Sequence, residues 1–346
     1  MEKKILMLGW GFPPKIDGGL DIHVAHLFQE LRELDVEVTL ALPEDRAPNL
    51  PDVIQIETEA EGMIPRARDM SREIVTMAED YDIIHTHDWF GAESGLKAKK
   101  YSGVQWVSTF HSLSSSRSRS VNREISQMER AIAERSDELI AVSQKLGDAV
   151  FDEYGREPRV IHNGFSQPCS TGKAVKEELG IQGSMIFFVG RHAEQKGIEH
   201  LLYGFSKFLK DKDSTLVIGG KGHMTPALEN FVEILGIQDN VKFPGFIPDE
   251  QLGDYYSAAD VFVSPSIDEP FGLTLTEALE SGTPVVATEN GAEEVLPQDS
   301  FVKVRPDSDS IKTGLEKAMD AEIPEYDSRS WETVARETVE VYSELN

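Results

Sequence analysis

Short, continuously apolar runs alternate with amphipathic segments of helical period along nearly the whole chain, and this alternation restricts the fold more than any other feature. The runs "KILMLG" (4–9), "DIIHTH" (82–87), "QWVSTFH" (105–111), "ELIAVS" (138–143) and "RVIHNG" (159–164) read as strands buried on both faces, which is how a parallel sheet covered by helices looks in sequence. The pattern then restarts with "MIFFVG" (185–190), a helix near 196–210, "TLVIGG" (215–220), a helix near 226–235, "VKF" (241–243), "VFVSP" (261–265) and "PVVAT" (284–288). The prediction is an α/β chain of two tandem, doubly wound, Rossmann-like parallel-sheet domains facing a cleft. Residues 1–166 form the first domain and 167–327 the second. Turn-formers open residues 165–184, which hold no buried strand and suit a linker. The tail carries Trp331, Val334, Val339 and Tyr342, the apolar stripe of a helix over 328–346 that is expected to return to the first domain.

A length of 346 residues accommodates two such domains, each large enough for its own core. Lys plus Arg total 34 against 61 Asp plus Glu, a formal net charge of −27. That surface repels nucleic acid and anionic membranes, which require clustered positive charge. The single cysteine, Cys169, cannot form an internal disulfide, which points to a reducing compartment. The apolar run Ile5 to Leu8 is too short for a signal peptide or a spanning helix. A cytoplasmic, soluble, acidic protein without an integral membrane segment is expected.

In open parallel sheets ligands bind beyond the carboxyl ends of the strands, so the segments just after these strands carry the chemical reading. After the first strand, "GWGFPPKIDGGLDIHVAHLFQEL" starts a helix marked by Leu20, Val24, Leu27, Phe28 and Leu31 beside the pair Gly18-Gly19. Two glycines there let backbone approach an anion at the positive end of a helix. The earlier Gly9-Trp10-Gly11 lacks the third glycine of a dinucleotide fingerprint, and "GGKG" (219–222) lacks the spacing of a phosphate-binding Walker loop. "GRHAEQKG" (190–197) sets Arg191 and Lys196 around the start of the next helix, a combination suited to a diphosphate. In "DEPFGLTLTEALESG" (268–282), Glu269 and Glu277 stand eight positions apart around Pro270-Phe271-Gly272. Leu273, Leu275, Ala278 and Leu279 recur at helical spacing, placing Glu277 about two turns into a helix and Glu269 just outside it. Both acids could face a ligand held over free N–H donors; an acidic turn followed by a solvated helix face is the plainer alternative. Asp307 and Asp309 read as a solvated loop, and "GAESG" (91–95) has its serine one place off a hydrolase elbow.

Taken in order, these segments resemble the retaining glycosyltransferases of the two-lobed GT-B fold, specifically family 4, the group of sucrose-phosphate synthases and glycogen synthases. The resemblance runs through nearly the whole chain and rests on Gly18-Gly19, "HTHDW" (85–89), "TFH" (109–111), "VIHNG" (160–164), "GRHAEQKG", "VKFPGFI" (241–247) and "EPFGLTLTEALESGTPVVAT". It implies that the backbone of Phe271, Gly272 and Leu273 holds donor sugar and phosphate, that Glu277 reaches the ribose hydroxyls, and that Glu269 lies against the sugar ring. Arg191 and Lys196 would grip the diphosphate and replace a metal as charge grows on the leaving group. Gly245, Phe246 and Ile247 would contact the base, largely through backbone, and His111 would lie near the donor sugar. His85, His87 and Asp88 look like metal ligands, yet after a strand they fit better as residues that shape the acceptor cleft. Two departures from the family pattern stand out: His162 precedes Asn163-Gly164 where many members have proline, and Gly291-Ala292 stands where a second glycine is usual.

The resemblance therefore implies a hexosyltransferase that uses a nucleotide diphosphate sugar and acts on a small-molecule, glycan or lipid acceptor with retention. No cofactor and no metal are expected, and oligomeric state is left open. A nucleotide-sugar 2-epimerase and a binding module that has lost catalysis are the alternatives; the epimerase would lack the paired glutamates, and the module would bind without turnover. The acid-free segment "SLSSSRSRSVNR" (112–123) follows His111 and holds Arg117, Arg119 and Arg123. In so acidic a chain it suggests an anionic acceptor, since guanidinium groups grip phosphate and carboxylate in bidentate fashion.

Overall fold

The apolar runs of the first half become strands β1 (Lys4–Leu8), β2 (Glu37–Pro43), β3 (Val53–Ile56), β4 (Ile83–His87), β5 (Gln105–Phe110), β6 (Glu138–Ala141) and β7 (Arg159–Val160) in a computed structural model that describes residues 3–117 and 122–345. All pair in parallel, in the order β3-β2-β1-β4-β5-β6-β7. Between them run α1 (Gly19–Glu33), α2 (Met63–Met77), α3 (Ala92–Tyr101), the short α4 (Ser114–Arg117), α5 (Arg123–Arg135) and α6 (Gln144–Tyr154). Ile5, Leu6, Phe28, Trp106 and Phe110 are fully buried in this unit. Trp106 satisfies its one polar atom by donating Nε1–H to Thr86 Oγ1 at 2.8 Å, as a buried indole must.

The second half forms α7 (Val175–Glu178), β8 (Ser184–Val189), α8 (Ile198–Phe208), β9 (Ser214–Gly219), α9 (Thr225–Leu235), β10 (Val241–Gly245), α10 (Asp249–Ala258), β11 (Val261–Ser264), α11 (Leu273–Glu280), β12 (Val285–Ala287), β13 (Val302–Lys303) and α12 (Ser308–Ala318). Its six strands are again parallel, in the order β10-β9-β8-β11-β12-β13. Leu201, Leu202, Phe205 and Phe208 of α8 pack with Ile311 and Leu315 of α12 in its core. The last helix, α13 (Trp331–Glu344), belongs with the first sheet: the chain divides into Met1–Gly164 plus Arg329–Asn346, and Phe165–Ser328. Trp331 stacks on His26 of α1, ring centroids 4.8 Å apart at 9°, and its indole lies where a side chain at Gly164 would go.

In both sheets the strand order reverses direction at one place, between β1 and β4 and between β8 and β11. Loops leaving those strands at their carboxyl ends diverge there and leave a crevice, the standard ligand position of open α/β sheets. Three expectations are corrected. Residues 165–184 are not a free linker: they carry α7, and Ser170, Thr171 and Gly172 bond the Asp254 carboxylate of α10. Asp307 is no loop residue but caps α12, accepting from Ser310 N–H at 2.9 Å, while Asp309 in that helix pairs with Lys207 at 2.7 Å. Glu277 is the fifth residue of α11, little more than one turn in rather than two.

Candidate active site

In the second unit the loop after β8 and the loop after β11 meet at the reversal point. A three-residue turn, Glu194–Lys196, ends at Gly197, whose φ of 63° is left-handed. A Cβ on Gly197 would come within 2.2 Å of Pro265 O, so only glycine lets the two loops close on each other. Ile267 N–H donates to Gln195 O at 2.8 Å and completes the seam. Across it Lys196 Nζ donates to Glu269 Oε2 at 2.7 Å, and Ser266 Oγ donates to the same oxygen at 2.9 Å. Glu269 also bridges to Asn290 through backbone. Asn290 and Glu293 form a capping box at Gly291–Glu294, and Ala292 N–H donates to Phe271 O at 2.9 Å. The unusual Ala292 thus supports the turn that leads into α11.

That helix starts after Gly272, itself left-handed at φ 103°. Phe271 turns inward beside Phe165, leaving the Phe271-Gly272-Leu273 segment at a helix N-terminus, where N–H groups lack intrahelical partners. Glu277 accepts from Tyr256 OH at 2.8 Å. Burial pushes its carboxyl from 4.5 up to about 7, partly offset by the tyrosine's hydrogen bond. Glu277 is thus half-buried and hydrogen-bonded to a buried tyrosine rather than set on a fully solvated face.

Arg191 is exposed on the same loop as Lys196. The intervening His192 is fully buried, with Nδ1 2.8 Å from Thr225 Oγ1, and its backbone N–H donates to Lys221 O at 3.1 Å. It fastens the Arg191 loop to "GGKG". Gly245 is left-handed at φ 80°, Phe246 is 51% exposed, and Ile247 is buried with its side chain against Gly219. Of that trio, Phe246 is the one that presents its side chain outward. Ser266, Tyr256, Asn290 and His192 escaped the sequence reading. Each acts through a contact formed by packing; His192, Ser266 and Asn290 stood within two places of the ends of "MIFFVG", "VFVSP" and "PVVAT", where strand geometry could have flagged them, whereas Tyr256 lies on α10.

In the first unit, Gly18 caps α1 and Gly19 opens it. A Cβ at Gly18 would meet no protein atom within 4 Å, so this glycine is not demanded by the unit's own packing. Asp88 follows β4 and is buried, its Oδ1 accepting from the backbone N–H of His111 at 2.7 Å and of Ser112 at 3.4 Å. His111 is 9% exposed and touches His87, Nε2 to Nδ1 at 3.1 Å. His23, on α1, reaches Asn163 Oδ1 through Nδ1 at 2.7 Å. Ring nitrogens of His23, His87 and His111 lie within 4.8 Å of one another. His85 does not shape a cleft: it is fully buried, with Nδ1 2.6 Å from Tyr342 OH and Nε2 2.8 Å from Thr109 Oγ1. Burial lowers its pKa from 6.5 to about 3 and that of His23 to about 4.

The acid-free segment enters through Ser114, whose N–H and Oγ–H both donate to the buried Glu129, at 2.7 and 2.6 Å. Arg123, exposed, opens α5 beside its capping residue Asn122. Arg119 and the side chain of Arg117 lie outside the described residues. No helix among the described residues is long and apolar enough to cross a membrane.

Residues 17–166 match the Glycosyltransferase Family 4 domain and residues 174–337 the domain called Glycosyl transferases group 1. An uncharacterized glycosyltransferase of Methanocaldococcus jannaschii is 32% identical, over 98% of this chain and 97% of that one. The alpha-maltose-1-phosphate synthase of Mycolicibacterium smegmatis is 27% identical over 99% of this chain and 100% of its own length. Among solved structures, sucrose-phosphate synthase from Thermosynechococcus elongatus superposes with a TM-score of 0.79 at 22% identity, covering 99% of each chain.

Proposed function

The chain belongs to the GT-B glycosyltransferases of family 4, and from that premise we propose that it moves a hexose from a nucleotide diphosphate sugar to a hydroxyl of an anionic acceptor, with retention of configuration. The observation that carries this reading is the contact of Lys196 with Glu269 at the strand-order reversal of the second unit. A cation and a carboxylate held side by side match the two charges that grow when the anomeric C–O bond breaks. Negative charge accumulates on the departing diphosphate, beside Lys196 and Arg191, and positive charge on the sugar ring, beside Glu269. The α11 N-terminus at Phe271-Gly272-Leu273 adds backbone donors for the same phosphate, and Glu277 takes the ribose hydroxyls. Two cations and a helix terminus supply the neutralisation that a divalent ion supplies in other transferases, so the reaction proceeds without metal.

On the acceptor side, Arg117, Arg119 and Arg123 follow His111 in a segment without an acid. Support for a phosphorylated acceptor also comes from the relative whose name is alpha-maltose-1-phosphate synthase. The test is a panel of nucleotide diphosphate sugars against matched acceptors with and without a phosphate. Products are read by mass spectrometry and their anomeric configuration by NMR. Transfer to phosphorylated acceptors with the donor's configuration is expected. Binding of nucleotide sugar without any transfer, or a product of inverted configuration, would overturn the reading.

A further inference from the structure

His87 at the end of β4 is fully buried, and among its contacts only Nδ1 is satisfied, 3.1 Å from Nε2 of His111. Its other nitrogen, Nε2, is buried and has no hydrogen-bond partner. The 3.1 Å contact needs one proton, which one of the two rings must bring. If His111 brought it, His87 would carry its own hydrogen on Nε2, a buried N–H with no acceptor. If His87 brings it, Nε2 is left with an unused lone pair. Orphaned buried donors are rarer and costlier than under-used acceptors, so the second arrangement wins. His23 repeats the pattern: Nδ1 is bonded to Asn163 Oδ1 at 2.7 Å while Nε2 is buried without a partner. Its ring stands edge-on to that of His111, centroids 4.5 Å apart.

We propose that His87 is a positioning residue that donates Nδ1–H to Nε2 of His111 and so fixes His111 as the neutral tautomer with its proton on Nδ1. With Nε2 of His111 accepting this proton, that nitrogen cannot serve as the base that takes the acceptor's proton. Asp88 holds the backbone of the same residue, so both the place and the proton of the imidazole are set from β4. Burial and the neighbouring rings of His85, His111 and His23 keep His87 uncharged, consistent with this arrangement.

The role of His111 at substrate rests on the function proposed above, whereas its tautomer does not, and the experiment separates the two. Full-length protein with 15N-labelled histidine gives long-range 1H–15N correlations that distinguish the two neutral tautomers, and a His111→Gln variant assigns the signal. A proton on Nδ1 of His111 is expected, retained in His87→Asn, whose amide N–H can replace Nδ1–H, and mixed between nitrogens in His87→Leu. With the donor and acceptor pair that the panel identifies, His87→Leu should lower kcat about tenfold or more with donor KM little changed, and His87→Asn should recover most of it. A proton on Nε2 of His111 in the unaltered protein overturns the inference, whatever the variants do. So does one equivalent of zinc, found by elemental analysis of protein purified without chelator, on the ring nitrogens of His23, His87 and His111. Correct tautomers with unaltered kcat in His87→Leu would uphold the proton assignment and remove His111 from the proposed site.

Discussion

Lys196 and Glu269, 73 positions apart in sequence, make a 2.7 Å ion pair whose side chains are 26% and 13% exposed. Each therefore satisfies the other before any substrate binds. A sugar diphosphate would have to insert its own charges along this pair, phosphate toward the ammonium and ring toward the carboxylate. Replacing Lys196 by Met should weaken nucleoside diphosphate binding by roughly 1.5–3 kcal/mol, the range for hydrogen bonds to charged groups. Titration calorimetry checks this, and an unchanged affinity would detach the lysine from the diphosphate.

Glu269→Gln keeps the shape of the side chain and removes its charge. If the carboxylate acts as proposed, where positive charge develops rather than where the ground state binds, turnover should fall by more than donor affinity. Full activity in a folded variant would exclude Glu269 from the chemistry.

Glu277 carries a pH signature. Its pKa is raised from 4.5 to about 7 in the folded protein, so the native state holds this proton more tightly than the unfolded chain does. The stability this group contributes is complete below pH 4.5 and is lost as pH rises through about 7. Glu277→Gln should thus flatten the fall in Tm between pH 5 and 8, seen by calorimetric scans in matched buffers. If Glu277 takes the ribose hydroxyls as proposed, the variant should also bind nucleoside diphosphate more weakly above pH 7, where the carboxylate is ionised, whereas an unchanged affinity would place Glu277 outside the site.

Activity should persist in chelator. Loss of turnover in EDTA with rescue by Mn²⁺ or Mg²⁺ would show that Arg191 and Lys196 do not suffice to neutralise the leaving group.

Changing Arg117, Arg119 and Arg123 together to Ser should raise acceptor KM and make it less dependent on salt, with donor affinity unaltered. If the variant uses a phosphorylated acceptor as well as the parent protein does, the arginines play no part in its recognition.

Gly197→Ala should destabilise the second unit by about 1 kcal/mol or more. The left-handed backbone disfavours alanine, and its Cβ would press on Pro265 O. Denaturant unfolding reads this, and an unchanged midpoint would mean that the two loops part easily.

Sequence alone determined the class of fold and the position of each candidate residue along it. Continuous apolar runs can be satisfied only in a sheet covered on both faces, so strands such as β4, β5 and β8 were legible locally, as was the helix carrying Glu277. The strands β2, β3 and β13 were not among the runs read, and length is not the reason, since β2 spans seven residues whereas β7, with two, was read. Tertiary structure decided what those residues experience. The pairing of Lys196 with Glu269 needed the order β8-β11, a crossover that local pattern does not encode. The pKa of Glu277 follows from its burial beside Tyr256, and the burial of His85 from Tyr342, 257 positions away. His23, His87, His111 and Asn163 come from four separate segments of the chain. Periodicity reports which face of an element is apolar; which side chain of another element meets that face depends on register and packing, and these arise only when the whole unit folds.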